Sequence, residues 1–188
     1  KLKPAHYAVI AVSGEPQEIC YWSYKDLVDA NPGTLSSLTD AEAIAETDAL
    51  LRRATVRRLE SDAPLGVFLS GGIDSSLVTA IVQNHGSTPV KSYSAGFEDP
   101  RFDEQVFAKQ IANYLGTDHH AFTFSEIDAL ELVPKIAAVY DEPFADSSQL
   151  PTMMISRVTG RDVKVVLTGD GGDEVFTGYA RYAAIMKS

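Results

Sequence analysis

Between residues 65 and 167 the chain alternates short apolar runs with stretches of helical periodicity, and this alternation restricts the architecture more than any other feature. The runs at 65–69, 90–95, 120–124 and 163–167 are short and bounded by turn residues, so they read as strands. The intervening 75–82, 103–115, 126–140 and 149–159 read as helices, and a last helix spans 179–187. Gly116 stops one helix, another contains Pro134, and Pro151 sits near the start of a third. Strands joined through helices run parallel, and apolar strands of this kind are covered on both faces. The predicted fold is α/β, a Rossmann-like parallel sheet with helices on both faces. Ligands in such sheets bind beyond the carboxyl ends of the strands. The segments following Leu69, Ala95 and Leu167 are therefore where a site is expected.

Two loops at those ends carry chemistry. The first, Ser70-Gly71-Gly72-Ile73-Asp74-Ser75-Ser76, joins a strand to a helix. Its glycines allow a sharp turn and close approach to a ligand, and the helix start presents unpaired N–H groups. Three serine hydroxyls add donors, and together these groups suit a multiply charged anion. Asp74 would repel phosphates unless a divalent cation lay between them. The plainer alternative is a turn in which Asp74 and Ser75 cap a helix. The spacing matches neither the Gly-Lys-Ser/Thr phosphate loop nor the Gly-x-Gly-x-x-Gly dinucleotide turn. The second loop, Thr168-Gly169-Asp170-Gly171-Gly172-Asp173-Glu174, packs three carboxylates among three glycines. Asp170, Asp173 and Glu174 are hard oxygen donors suited to Mg²⁺. The alternative there is a solvated turn at a helix N-terminus.

Ser-Gly-Gly-x-Asp-Ser resembles the pyrophosphate loop of the N-type ATP pyrophosphatases, the adenine-nucleotide α-hydrolase type of fold. Residues 168–179 resemble the Ser-Gly-Glu/Asp-Gly-x-Asp-Glu-Val/Leu-Phe-x-Gly-Tyr motif of the asparagine synthetases, with Thr168 in place of the usual Ser. Phe102-Asp103-Glu104 and Leu115-Gly116-Thr117-Asp118-His119-His120 fit the same family. Asp141-Glu142-Pro143-Phe144-Ala145-Asp146-Ser147-Ser148 resembles asparagine synthetase-like enzymes of bacterial polysaccharide loci. The resemblance covers about residues 40–188.

The resemblance implies an ATP-dependent amide ligase. It would convert the aspartate side-chain carboxylate to an acyl-adenylate and then, with ammonia from glutamine, to asparagine. By position, Asp74 and Asp173 match Mg²⁺-binding aspartates, and Ser70, Gly71, Gly72, Asp74, Ser75 and Ser76 match pyrophosphate contacts. Leu69, Ala95 and Gly169 match backbone contacts to adenosine, with Thr168 beside them. Asp170 matches a carboxylate near the adenylate, with a role in handling ammonia protons. The implied cofactors are ATP and Mg²⁺. A sugar-acid amidotransferase and a nucleotide-binding module without catalysis are the rival readings, and the presence of both Asp74 and Asp173 argues against the second.

The chain opens with Lys1 and ends at Ser188 within a helical pattern, so a piece of a larger protein is expected. Residues 1–40 carry Pro4, Pro16, Pro32 and Gly33, a β-like run at 7–12 and an aromatic cluster at Tyr21, Trp22 and Tyr24. They read as the end of a glutaminase domain and its linker, and 41–188 as a synthetase domain cut short. The family's glutaminase cysteine is N-terminal, and its phosphate-contacting lysines lie beyond Ser188. The piece alone is therefore expected not to make asparagine from glutamine. A helix is expected from Thr39-Asp40-Ala41-Glu42 to Ser61, with Arg52, Arg53, Arg57 and Arg58 complementing its dipole.

Composition narrows the partners. The chain has 188 residues, 26 acidic against 16 basic, for a formal charge of −10. That balance argues against a duplex nucleic-acid partner. No apolar run approaches a membrane span, no signal peptide is expected, and one cysteine permits no internal disulfide; a cytoplasmic protein is expected. A homodimer is left open. Cys20 is expected in core packing, as are Met153 and Met154. His119 and His120, adjacent in a strand, should point to opposite faces and make a poor metal pair. Glu142 and Asp146 read as a helix cap or a substrate contact.

Overall fold

The computed structural model describes residues 1–12, 14–30, 37–99, 103–142 and 145–186. Of the residues singled out above, Pro32, Gly33, Phe102, Pro143, Phe144 and Ser188 lie outside this set. The chain forms two compact units, Lys1–Ala45 and Glu46–Ser188.

In the first unit, β1 (His6–Val9) pairs antiparallel with β2 (Gln17–Cys20), His6 facing Cys20 and Val9 facing Gln17. The β-like run thus ends earlier than expected and has a partner the sequence did not announce. Gln17 and Glu18 are exposed and polar, so β2 lacks the apolar alternation that marks a half-buried strand. Cys20 corrects its expectation: it is exposed, and its thiol donates to the Trp22 carbonyl at 3.1 Å. Tyr7 stacks on Tyr21 at 6.5 Å, and α1 (Tyr24–Ala30) follows.

Helix α2 (Asp40–Val56) begins at a reciprocal cap. Thr39 N–H donates to Glu42 Oε2 at 2.8 Å, and Glu42 N–H to Thr39 Oγ1 at 3.4 Å. The helix stops at Val56 rather than Ser61, leaving Arg57 and Arg58 beyond its end; Arg53 lies in its last turn, and Arg52 pairs with Asp48 at 2.7 Å.

The second unit is the α/β layer. Its elements are β3 (Leu65–Phe68), α3 (Ile73–His85), β4 (Lys91–Phe97), α4 (Gln105–Leu115), β5 (Asp118–Phe124), α5 (Glu126–Leu132), α6 (Ile136–Val139), α7 (Gln149–Thr159), β6 (Val165–Leu167), α8 (Gly172–Phe176) and α9 (Ala180–Met186). The strands form one parallel sheet in the order β5-β4-β3-β6. The expected parallel sheet with helices on both faces is therefore present. The stretch 126–140 divides at a 3₁₀ turn holding Pro134, whose missing N–H interrupts the helical ladder. Residues 163 and 164 are not in β6: Val163 N–H still bonds back to Thr159 at 2.9 Å, completing the turn after α7.

Each face of the sheet has its own core. On one, Leu69 packs with Ala108, Ala112 and Ile111 of α4. On the other, Tyr93 packs with Ile155 and Val163, and Phe124 with Leu132 and Met154. Register explains the second face: Phe68 pairs with Tyr93 and Ala95 with Phe122, so their side chains share a side. Gly66, without a side chain, leaves room for the Tyr93 ring. Each fully buried residue of this size stabilises the fold by roughly 1.5–3 kcal/mol.

Candidate active site

The sheet brings two loops together at its carboxyl end because β3 and β6 are hydrogen-bonded neighbours. Strand β3 stops at Phe68, opposite Tyr93, whereas β4 continues to Phe97. Beyond the last pairing Leu69 N–H still donates to the Tyr93 carbonyl at 2.8 Å. Ala95 therefore lies within β4 rather than at its end, on the stretch that projects past β3. Leu69 is 1% exposed, its side chain packed against α4.

The loop between β3 and α3 is held from inside by serine hydroxyls. Ser70 Oγ and Ser75 Oγ lie 2.9 Å apart, Ser75 Oγ donates to the Gly72 carbonyl at 3.2 Å, and Ser76 Oγ donates to the same carbonyl at 2.5 Å. Gly72 N–H donates to Ser70 Oγ at 3.2 Å. Gly71 has a left-handed φ of 90° and lies directly against α4: a Cβ there would stand 2.7 Å from Phe107 Cβ and 2.9 Å from Ala108 N. Gly72 differs. Its φ is −72°, and an added Cβ would meet only Ser70 Oγ, at 3.4 Å. Gly72 is the N-cap of α3 and no side chain caps that helix, so Asp74 and Ser75 are not capping residues.

The second loop closes onto the first. A Cβ on Gly169 would come within 2.6 Å of Ser75 N, and one on Gly172 would strike the Asp74 carboxylate. These two glycines are required by space, since nothing bulkier fits between the loops. Asp74 and Asp173 are partly buried, Asp170 is exposed, and Asp173 directly follows the residue on which Asp74 rests. The Asp173 carboxylate lies against Gly178. Thr168 Oγ1 donates to Asp170 Oδ2 at 2.9 Å and accepts from Asp170 N–H at 3.3 Å. Tyr179 donates to Glu174 Oε1 at 2.9 Å, a bond that pushes its phenol pKa up. Arg181 stacks on Tyr179, 4.1 Å from the ring centre.

At this junction the Asp74 carboxylate lies against Gly172 and that of Asp173 against Gly178. Among the described residues no group of three or more His, Cys, Asp or Glu converges on a metal position. Mg²⁺ is usually held by one or two carboxylates, with the remaining positions filled by phosphate and water. Of the expected residues, Ser70 to Ser76 lie on one of the two loops that meet here and Thr168 to Asp173 on the other.

Arg58 received only a helix-dipole role from the sequence. It instead lines a cavity of about 390 Å³ with Thr55, Val78, Leu167, Thr168 and Asp170. Its position past the end of α2 gave no sequence signal. The histidines separate as expected: His119 bonds to Ser92 at 2.8 Å and Ser94 at 3.2 Å on one face, while His120 stacks on Tyr93 on the other. Asp146 accepts from Ser148 N–H at 2.8 Å, stabilising the turn before α7, whose N-cap Ser148 makes no side-chain cap. Met154 is buried and Met153 packs beside it.

A parallel sheet with facing glycine-rich loops at its carboxyl end places the chain among the open α/β folds, whose ligands bind beyond the strand ends. Among the solved structures with this fold are two synthetases. A glutamine-dependent NAD⁺ synthetase from Acinetobacter baumannii, in complex with ADP, matches 78% of this chain with TM-score 0.54 and 23% identity; the match spans 29% of that chain. The NMN synthetase from Francisella tularensis matches 72% of this chain and 58% of its own, with TM-score 0.51 and 17% identity. The asparagine synthase family model matches residues 46–188. The chain belongs to the asparagine synthase family.

A putative glutamine-hydrolysing asparagine synthetase of Methanocaldococcus jannaschii is 40% identical over 166 residues, covering 88% of this chain and 31% of that protein. Asparagine synthetase 1 of Bacillus subtilis, also named glutamine-hydrolysing, is 32% identical over 160 residues, 85% of this chain and 25% of its own length. The chain thus spans a third or less of these two relatives. No helix among the described residues is long and apolar enough to cross a membrane.

Proposed function

We propose that residues 46–188 perform the activating step of an ATP-dependent amide ligase. The observation that carries this reading is the loop junction, where the Asp74 carboxylate rests on Gly172 beside Asp173. ATP places its phosphates in the 70–76 loop, against the backbone of Gly71 and Gly72 and the hydroxyls of Ser70, Ser75 and Ser76. The backbones of Leu69, Ala95 and Gly169, with Thr168, meet the adenosine. Asp74 and Asp173 are the residues to hold Mg²⁺, which when bound would offset charge on the departing pyrophosphate.

An oxygen of the acceptor carboxylate, by this reading the aspartate side chain, attacks the α-phosphorus. The bond to the bridging oxygen breaks, giving acyl-adenylate and pyrophosphate. Ammonia then attacks the acyl carbon, AMP leaves, and Asp170 accepts a proton from the nitrogen. Glutamine supplies the ammonia through a glutaminase domain of the longer protein, whose end and linker we assign to residues 1–40. The glutamine-hydrolysing names of the relatives support that assignment. A different acceptor, such as a sugar acid, is the second reading, favoured by the 141–148 segment.

The test is pyrophosphate release by the full-length protein with ATP, Mg²⁺ and a panel of carboxylates. Release dependent on aspartate is expected, with Asp74→Asn and Asp173→Asn each reducing it by about 100-fold or more. A sugar acid driving release in place of aspartate selects the second reading. Wild-type rates in both variants would remove the assignment of the metal residues.

A further inference from the structure

Gly96, near the end of β4, is buried and has no space for a side chain. A Cβ there would stand 2.5 Å from Gln105 Cγ and 2.6 Å from Asp103 Oδ1. The Gln105 side chain therefore lies across β4 at this gap. Its Nε2 donates to the Phe122 carbonyl of β5 at 2.8 Å, and its Oε1 accepts from the Thr123 hydroxyl at 3.4 Å. Its backbone N–H donates to Asp103 Oδ1 at 3.1 Å. The first residue of α4 is thus tied to the carboxyl end of the sheet by both ends of one amide.

Two residues further along, the same helical turn meets the 70–76 loop. Phe107 and Ala108 bond back to the Glu104 carbonyl at 3.1 and 3.2 Å, and it is their atoms that a Cβ on Gly71 would strike. Leu69, which leads into the loop, is buried against Ala108 and Ala112. The loop backbone rests on α4, and α4 is located by Gln105.

We propose that Gln105 is a positioning residue for the phosphate loop, acting through the first turn of α4 on the backbone of Gly71. This rests on the reading of that loop as the ATP site. The hydrogen bonds of Gln105 go to β5 and Asp103, so its influence on a nucleotide passes through the helix. Burial of apolar surface could dock α4 without a polar bridge. Directional amide bonds instead set where the turn stands, and displacements below an ångström matter to a loop that must present several N–H groups to one anion.

The experiment measures ATP binding in the presence of Mg²⁺, and the melting temperature, on the full-length protein. Gln105→Met keeps the side-chain stem over Gly96 and deletes both amide bonds. Its dissociation constant for ATP is expected to rise about ten-fold, with little change in melting temperature. Gly96→Ala should weaken ATP binding by displacing Gln105. In combination with Gln105→Ala its effect should be smaller than in the wild-type background, because the conflict with the Gln105 side chain is gone and only the one with Asp103 Oδ1 remains. Unchanged ATP affinity in Gln105→Met overturns the proposal, whether or not the melting temperature falls. Wild-type protein that binds no ATP overturns the ATP site itself and this inference with it. Wild-type binding with an indifferent Gln105→Met overturns this inference alone.

Discussion

Gly71 and Gly72 are adjacent and chemically identical, yet the fold uses them for different reasons. Gly71 is left-handed and pressed against α4, so both its conformation and its space exclude a side chain. Gly72 has an ordinary conformation and room for a methyl group within the protein. Strain at positive φ therefore belongs to Gly71 alone. Gly72→Ala is expected to fold with its melting temperature nearly unchanged while losing ATP affinity, since its methyl group would face the phosphates. Gly71→Ala is expected to lose stability as well, by about 1–3 kcal/mol. Thermal unfolding and ATP titration of the two variants check the contrast. Unimpaired ATP binding by Gly72→Ala would count against the cradle. The motif was legible in the sequence, but nothing in two neighbouring glycines says which one carries the strain.

At the scale of elements, helix ends were harder to read than helix bodies. The interval expected for α7 matches the observed Gln149–Thr159 because its apolar face and Pro151 mark it at both levels. Helix α2 ends early, and α8 is a five-residue helix in the second loop, where a helix N-terminus was only the alternative reading of the sequence. The C-cap of α8 is Thr177, left-handed at φ 57° and ψ 37°. A β-branched residue is strained there, and glycine is the usual solution. Thr177→Gly is expected to raise stability by about 0.5–1 kcal/mol, net of the greater freedom glycine gives the unfolded chain. A higher denaturation midpoint with an unchanged denaturant slope would show it. A lower midpoint would mean that Thr177 contributes contacts outweighing the strain.

For the whole molecule, the buried polar row along β4 couples stability to pH. His119 is held between Ser92 and Ser94, and burial pushes its pKa down, with smaller contributions in the same direction from His120 and Lys109. The folded state therefore favours neutral imidazole, and the unfolded chain takes up the proton first as pH falls. The stability associated with a neutral His119 is complete above the unfolded imidazole value of about 6.5 and is lost as pH drops from there through the folded value. His119→Gln should flatten the fall in melting temperature over this window relative to wild type. Parallel wild-type and variant pH profiles would show that this histidine does not control it.

What the sequence determined by itself was local and periodic. Alternating strand and helix patterns imposed a parallel sheet, and glycines, hydroxyls and carboxylates at two strand ends marked both site loops, because these properties depend on near neighbours in the chain. Only the tertiary structure decided what those loops touch. The order β5-β4-β3-β6 makes residues almost a hundred positions apart into neighbours, setting Asp74 on Gly172 and Gly169 against Ser75. The same is true of Arg58 lining one cavity with Asp170, of Gln105 across Gly96, and of Cys20, which the hairpin leaves exposed. No local pattern encodes such contacts. They arise when burial of the two sheet faces selects one strand order and register, and excluded volume then permits only glycine where the loops meet.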